Sequence, residues 1–323
     1  MSVIHWIAAA ALGLGMTAAG AQPFPAKPVT FIVPFAAGGP SDALARVLAQ
    51  AMAQPLGQQV VVENVTGAGG TVGAARGAQA RADGHTILLS HIGQASSVTL
   101  YRKLPYHPVE SFEAVAMIAE VPMVLVGRKD LEPKDAAELI RFVRTNKDRV
   151  TYGNGGVGSA SHLCGLLLMT ALKADMTTVS YRGSGPAMQD VLGGRLDLLC
   201  DQTTTTVSHI RAAAVRGYAV TMSERIASLP EAPTLHEAGL RDFSLAVWYG
   251  LVAPRGTPEP VVQQLASALR AAIADPGVSK RLSDFGAQPI SGERATPAGA
   301  ARFFRAEVDR LAPIIKAAGV YAD

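Results

Sequence analysis

Cysteine is scarce in this chain: Cys164 and Cys200 are the only two among 323 residues. Two cysteines cannot build the dense disulfide framework of a small secreted scaffold. A single bridge and two separate buried thiols both stay open, since Cys164 falls in an expected helix and Cys200 in an expected strand. Charge is equally thin. A formal net charge of +3, without a Lys/Arg cluster or a series of stacking aromatics, argues against a nucleic-acid partner. After Gln22 there is no run of about 18 apolar residues, so the mature chain should not cross a bilayer. The HExxH pattern and paired Cys/His spacings are missing, so no metal is expected. Low-complexity linkers and short repeats are missing too.

What is present begins with an export signal. Residues 1–21 carry an apolar run from Trp6 to Met16, too short to span a membrane, followed by Ala19-Gly20-Ala21 as a small-x-small cleavage pattern. A cut after Ala21 and a periplasmic location are expected, although His5 is the sole basic side chain of the n-region. A buried N-terminal helix is the competing reading. The roughly 300 residues that follow exceed one comfortable core and suggest two lobes.

Short β-rich runs alternate with amphipathic helices, which predicts an α/β chain with mainly parallel sheets flanked by helices. Thr30-Phe31-Ile32-Val33-Pro34-Phe35 reads as a strand, and Leu44, Val47, Leu48, Ala51 and Met52 mark one buried helix stripe. Between them lies the tight loop Ala36-Ala37-Gly38-Gly39-Pro40-Ser41-Asp42. A helix start exposes unpaired N–H donors and the positive end of the helix dipole, so this unit is an anion cradle. The device recurs. Gln59–Asn64 leads into Gly67-Ala68-Gly69-Gly70, and Thr86–Ser90 ends at His91. Val150–Tyr152 leads into Gly153–Ser159, Thr178–Tyr181 into Arg182-Gly183-Ser184-Gly185-Pro186, and Leu196–Asp201 into the hydroxyl-rich run Gln202–Thr206. In open α/β sheets ligands bind beyond the carboxyl ends of the strands, so these loops should share a rim.

The same loops invite sharper readings that fail on detail. Gly67–Gly73 is spaced GxGxxxG, with Val72 where a dinucleotide loop has its third glycine, and the Walker lysine is missing; no nucleotide or other cofactor is expected. Ser159 and His162 suggest a nucleophile and base, yet no GxSxG elbow or orienting partner accompanies them. Ser159 reads better as an N-cap or ligand hydroxyl, and His162 as a first-turn donor. Asp42 suits the first turn of its helix. Asp201, after an apolar strand, either accepts from a ligand amine or hydroxyl or fixes the next loop. Arg182 either meets a ligand carboxylate or holds its loop from the surface.

In order along the chain, Val33-Pro34-Phe35 with Gly38-Gly39 and Asp42, Asn64 with Gly67–Gly70, Ala82–Thr86, Lys103–Tyr106, Gly156-x-Gly158-Ser159-x-x-His162, Tyr181–Ala187, Leu192–Gly194, Ala232–Gly239 and Trp248–Pro254 form a specific set. The sequence so read resembles the substrate-binding receptors of tripartite tricarboxylate transporters, the Bug family, over essentially the whole mature chain. The resemblance implies a periplasmic, type II-like Venus flytrap, expected to be a monomer. Lobe 1 would comprise 22–122 and 250–323 and lobe 2 123–249, with the hinge near 122 and 249. It implies no enzyme but a receptor for a small organic carboxylate, of the mono-, di- or tricarboxylate or acidic amino acid class, which it delivers to membrane permease subunits. Contacts carried over by position are Phe35, Ala36, Ala37, Gly38, Gly39, Gly69, Ser90 and His91 from lobe 1. Lobe 2 would supply Gly158, Ser159, Tyr181, Arg182, Gly183 and Asp201. His85, His107 and Ser180 depart from the usual residues of the family, and the Gln202–Thr206 run should tune the ligand. An exported hydrolase using Ser159 and His162, or a receptor serving a sensory role, are the alternatives.

Overall fold

The computed structural model describes residues 24–241, 243–319 and 321–322, so the expected signal segment and its cut lie outside the described residues. The chain runs β1 (Val29–Val33), α1 (Pro40–Leu56), β2 (Val60–Asn64), α2 (Thr71–Ala78), β3 (Thr86–His91), α3 (Ile92–Leu100) and the long β4 (Phe112–Arg128). It continues with α4 (Ala136–Asn146), β5 (Thr151–Asn154), α5 (Ala160–Leu172), β6 (Thr177–Ser180), α6 (Ser184–Leu192), β7 (Leu198–Gln202), α7 (Thr203–Arg211) and β8 (Val215–Val220). The last elements are β9 (Ala246–Pro254), α8 (Glu259–Ala274), α9 (Pro276–Asp284), β10 (Gln288–Pro289) and α10 (Pro297–Ala318).

Strand order is β2-β1-β3-β9-β4-β7-β5-β6, with β10 and β8 also paired to β4. The outer trios β2-β1-β3 and β7-β5-β6 hold the parallel pairs, whereas β4 and β9 run antiparallel to their neighbours. This is the α/β, two-lobed architecture expected, with an antiparallel centre that the strand–loop–helix units did not announce.

β4 joins the two halves. From Phe112 to Pro122 it pairs with β9, and from Met123 onward with β7 and β8. Pro122 has no N–H to give a ladder, and it stands where the strand changes partners, so its missing donor costs little there. The chain returns between Leu245, whose N–H meets the Thr221 carbonyl, and Ala246, which pairs with Pro122. Position 249 therefore lies inside β9, a few residues past this crossing.

Packing explains the unbroken apolar runs. Met123 and Leu125 of β4 enter one core cluster, while Val124 and Val126 enter a second beneath α6 and α7. A strand whose alternate side chains meet two different cores shows no polar alternation. In α1, Leu44, Leu48 and Met52 are fully buried and Val47 and Ala51 half-buried, while Gly57 ends the helix in the left-handed conformation that favours glycine. The Thr203–Thr206 run forms the first turn of α7 rather than a loop. Its β-branched residues are weak helix formers, but Thr206 and Val207 are buried, and tertiary packing overrides propensity.

Cys164 of α5 and Cys200 of β7 form a disulfide, with their Cα atoms 6.2 Å apart. It ties the two elements whose ends lie at the cavity described below. Removing a bridge that closes a loop of this length should cost roughly 3–4 kcal/mol. A Cys164→Ser/Cys200→Ser variant is expected to unfold at clearly lower denaturant than the oxidised parent and to match the reduced parent. Coincident midpoints for all three would contradict this contribution.

Candidate functional site

Five helix starts converge on one space. Gly39 caps α1, His91 caps α3, Ser159 caps α5, Ser184 opens α6, and Gln202 precedes α7; all five residues line the same cavity. Each sits at the carboxyl end of a strand or just beyond it, which is where the parallel trios direct their loops. Phe35, Pro40, Ser41, Gly155, Ala160, Ser161, Asp201 and Tyr249 complete the wall. The space left between these walls is about 20 Å3, room for about one water molecule, so the two halves stand close together around it.

No lysine or arginine is among the lining residues. The positive potential comes instead from the helix starts, each equivalent to about half a charge. Two are satisfied from within: Ser159 Oγ accepts from the His162 N–H, and His91 Nδ1 accepts from the Gly93 N–H. The starts of α1, α6 and α7 have no side-chain cap, so first-turn N–H groups there are left for another acceptor. A larger open groove of about 940 Å3 lies between α1, α8 and α9. The start of α9 in that groove is already capped by the Asp275 carboxylate, which makes it a poor place for an anion.

The titratable groups of the cavity are tuned by burial. His91 is fully buried, and desolvation pushes its pKa down to about 3. With Nδ1 occupied as an acceptor, its neutral ring carries the proton on Nε2. Its ring stacks at a tilt on Phe35, centroids 4.8 Å apart. Asp201 is also fully buried, and desolvation raises it to about 6 against the pull of hydrogen bonds from Thr205, Ser184 and the Gln202 N–H. Asp42 stands outside the wall. Burial raises it, but Arg46, the Gly38 N–H and Asn64 together hold it below the usual carboxylate range, so it braces the first loop.

Of the residues expected from sequence, Phe35, Gly39, His91, Ser159 and Asp201 meet at this cavity. Others form the seam between the halves. The Ala36 N–H donates to the Arg182 carbonyl at 3.1 Å, and Gly183 packs against Ala36. Gly69 lies against the Val157 carbonyl, and Tyr101 Oη stands 2.8 Å from the carbonyls of both Ala68 and Val157, its one proton shared between them. Gly158 packs on Leu100 and Tyr101. Ala37 and Gly38 are an exposed turn, and Ser90 is buried in β3 opposite Gly250. The Tyr181 hydroxyl turns away to Asp190, and Arg182 is exposed.

His162 accepts the Gly158 N–H on Nδ1 and donates its own backbone N–H to Ser159 Oγ, and burial lowers its pKa to about 4. The Ser159 hydroxyl faces the His162 backbone N–H and Ser161 Oγ, so serine and imidazole do not form a nucleophile–base pair. Of the hydroxylic run, Thr205 reaches Asp201 and Gln202 reaches the cavity. Sequence reasoning missed Ser41, Ser161, Ser184 and Tyr249. The serines sit in first helical turns, where position alone was a signal, but Tyr249 lies in an apolar strand with nothing local to mark it. Among the described residues no group of three or more His, Cys, Asp or Glu is placed to hold a metal, and no helix is long and apolar enough to cross a membrane.

Two measurable consequences follow from this geometry. A Cβ added at Gly69 would lie 1.7 Å from the Val157 carbonyl oxygen across the seam, at φ +61°. Gly69→Ala should therefore hold the halves apart: ligand affinity falls more than tenfold and small-angle scattering gives a larger radius of gyration, with the fold retained. An unchanged radius and affinity would contradict this role. Because Asp201 titrates higher in the folded state, its stability contribution is complete below pH 4 and is lost as pH rises through about 6. The stability advantage of Asp201→Asn over the parent should then grow by on the order of 2–3 kcal/mol between pH 4 and pH 8. A difference independent of pH in denaturant unfolding would refute the raised pKa.

Known proteins match this arrangement. The family described as "Tripartite tricarboxylate transporter family receptor" matches residues 44–320. A protein of Agrobacterium vitis, the "UPF0065 protein in the TAR-I ttuE-ttuC' intergenic region", is 51% identical over 92% of this chain and 86% of its own. The structure of the periplasmic binding protein BugD is 42% identical, covers 93% of this chain and 100% of its own, and superposes with a TM-score of 0.91. MatC from Rhodopseudomonas palustris, solved with bound malate, is 41% identical over 90% of this chain and 100% of its own, at a TM-score of 0.87. The chain belongs to the tripartite tricarboxylate transporter receptor family, which includes the Bug proteins, and it is a substrate-binding receptor rather than an enzyme.

Proposed function

We propose that this protein is a periplasmic receptor that closes its two lobes on a small carboxylate and delivers it to the membrane permease of a tripartite tricarboxylate-type transporter. One observation carries the reading: a cavity between the halves is ringed by five helix starts and lined by no lysine or arginine. Backbone N–H groups and helix dipoles favour an anion there, and the narrow gap between the closely set walls favours a compact one. The malate bound to the relative MatC is an acid of that kind. Lobe 1 comprises residues 22–122 and 246–323 and lobe 2 comprises 123–245, a few positions before the boundary expected at 249, because β9 from Ala246 onward, Tyr249 included, pairs with the lobe 1 part of β4. The hinge strands cross near Pro122 and just before Ala246. Residues 1–21 direct export and are removed after Ala21. The seam contacts, including Ala36 with Arg182 and Tyr101 with Val157, are made when the lobes close. The permease then reads the closed form, in which the outer surfaces of both lobes take a fixed relation.

Thermal-shift screening of the mature protein against a panel of mono-, di- and tricarboxylates and acidic amino acids tests the reading. A ligand present at about 100 times its Kd stabilises the folded state by roughly 2.7 kcal/mol, a readily measured rise in Tm. At least one small carboxylate should give that rise, and neutral analogues such as the corresponding amides should give none. A panel without a single responding acid would refute the proposed function.

A further inference from the structure

We infer that the cavity selects a carboxylate that carries a hydroxyl group, with Asp201 as the acceptor and Gln202 as the donor that read it, and Tyr249 as the residue that positions Gln202. This deepens the receptor reading above and rests on it. Asp201 and Gln202 are consecutive at the end of β7, are 1% and 4% exposed, and both line the cavity. Asp201 already receives the Thr205 hydroxyl at 2.7 Å, the Ser184 hydroxyl and the Gln202 N–H. A carboxylate offers about four acceptor positions, so about one is left for a donor inside the cavity.

Gln202 presents the opposite sign. Its Oε1 is taken by the Tyr249 hydroxyl at 2.7 Å, and that hydroxyl is held in turn by Ser41 Oγ at 3.0 Å. The bond from Tyr249 fixes the orientation of the Gln202 amide, whose N–H groups are the donors it brings to the cavity, and no described residue accepts from them. A donor and an acceptor at adjacent positions of a buried wall match a group that both gives and takes a hydrogen bond. A ligand hydroxyl does both, donating to Asp201 and accepting from Gln202. A bare methylene would leave two buried polar groups unpaired. An ammonium would donate to Asp201, but it could accept nothing from Gln202 and would add positive charge among five helix starts. A second carboxylate in that place would face Asp201 and be repelled.

Tyr249 and Ser41 belong to β9 and α1, on the opposite half from β7. The hydroxyl-reading pair is therefore complete only when the halves meet. Specificity of this kind is exercised at closure, after the anionic end of the ligand has been caught by the helix starts.

Calorimetric titration of the mature protein with matched acids tests this: lactate, propionate and alanine; malate, succinate and aspartate; citrate and tricarballylate. The hydroxy acid of the set that binds should exceed its deoxy and amino counterparts by about 10- to 100-fold, the range set by a charge-assisted hydrogen bond. In Asp201→Ala the hydroxy-to-deoxy ratio should fall to within about threefold. Tyr249→Phe should lower the same ratio by about tenfold, whereas a purely structural role would weaken both members equally, and it keeps the test decisive if Asp201→Ala fails to fold. Equal binding of hydroxy and deoxy acids by the parent, tighter binding of the amino acid, or an unaltered ratio in both variants overturns the inference and leaves the receptor reading standing. No binding by any acid overturns both.

Discussion

An anion held out of water needs positive potential close by, and this cavity supplies it without a lysine or arginine in its wall. The structure is organised around that constraint. A buried cation would need its own desolvation offset and would hold its charge in every state of the receptor. Helix starts carry partial charge as part of the fold, and their N–H groups are unpaired in any case. Placing five of them around one space requires strands that end on a common rim, which the two parallel trios provide. It also requires two such trios to face each other, which falls to β4.

β4 is one strand with two sets of partners, and its change of partner at Pro122 and Met123 divides the molecule without breaking the backbone ladder for long. The seam needs close backbone approach. Gly69 against Val157 and Gly183 against Ala36 bring main chain to main chain, and no larger residue would allow it at the first of these. The result is a site whose donors are rigid within each half and whose completion depends on the relative position of the halves.

Asp201 runs against this scheme and so is the most specific feature of the cavity. It is an acid in a space built for anions, and burial raises its pKa to about 6. A buried acceptor held by Thr205 and Ser184 is costly unless something uses it. Its neighbour Gln202, locked through Tyr249 and Ser41, gives the complementary donor. On the proposed reading, general anion affinity and ligand discrimination reside in different chemistry, backbone for the first and side chains for the second.

Much of this was legible in the residues themselves. The α/β pattern and the repeated strand–glycine–helix starts follow from local rules, because caps, glycine turns and apolar periodicity act within a few positions; Phe35, Gly39, His91, Ser159 and Asp201 as contact residues came with the family resemblance. The length of β4 was not legible, since Phe112–Glu120 lacks a clear period and Pro122 reads as a break. The Thr203–Thr206 run gave no sign of a helix, because burial rather than propensity makes it one. Whether Cys164 and Cys200 pair stayed open until packing set their Cα atoms 6.2 Å apart. Tyr249 and the partners it joins lie up to 208 positions apart in the chain, so no local signal could reveal them. The sequence by itself determined which strands end in donor-rich loops, for those are matters of backbone chemistry over short range. Only the tertiary structure decided which loops face one another, because that depends on how β4 and β9 share their hydrogen bonds across the two halves.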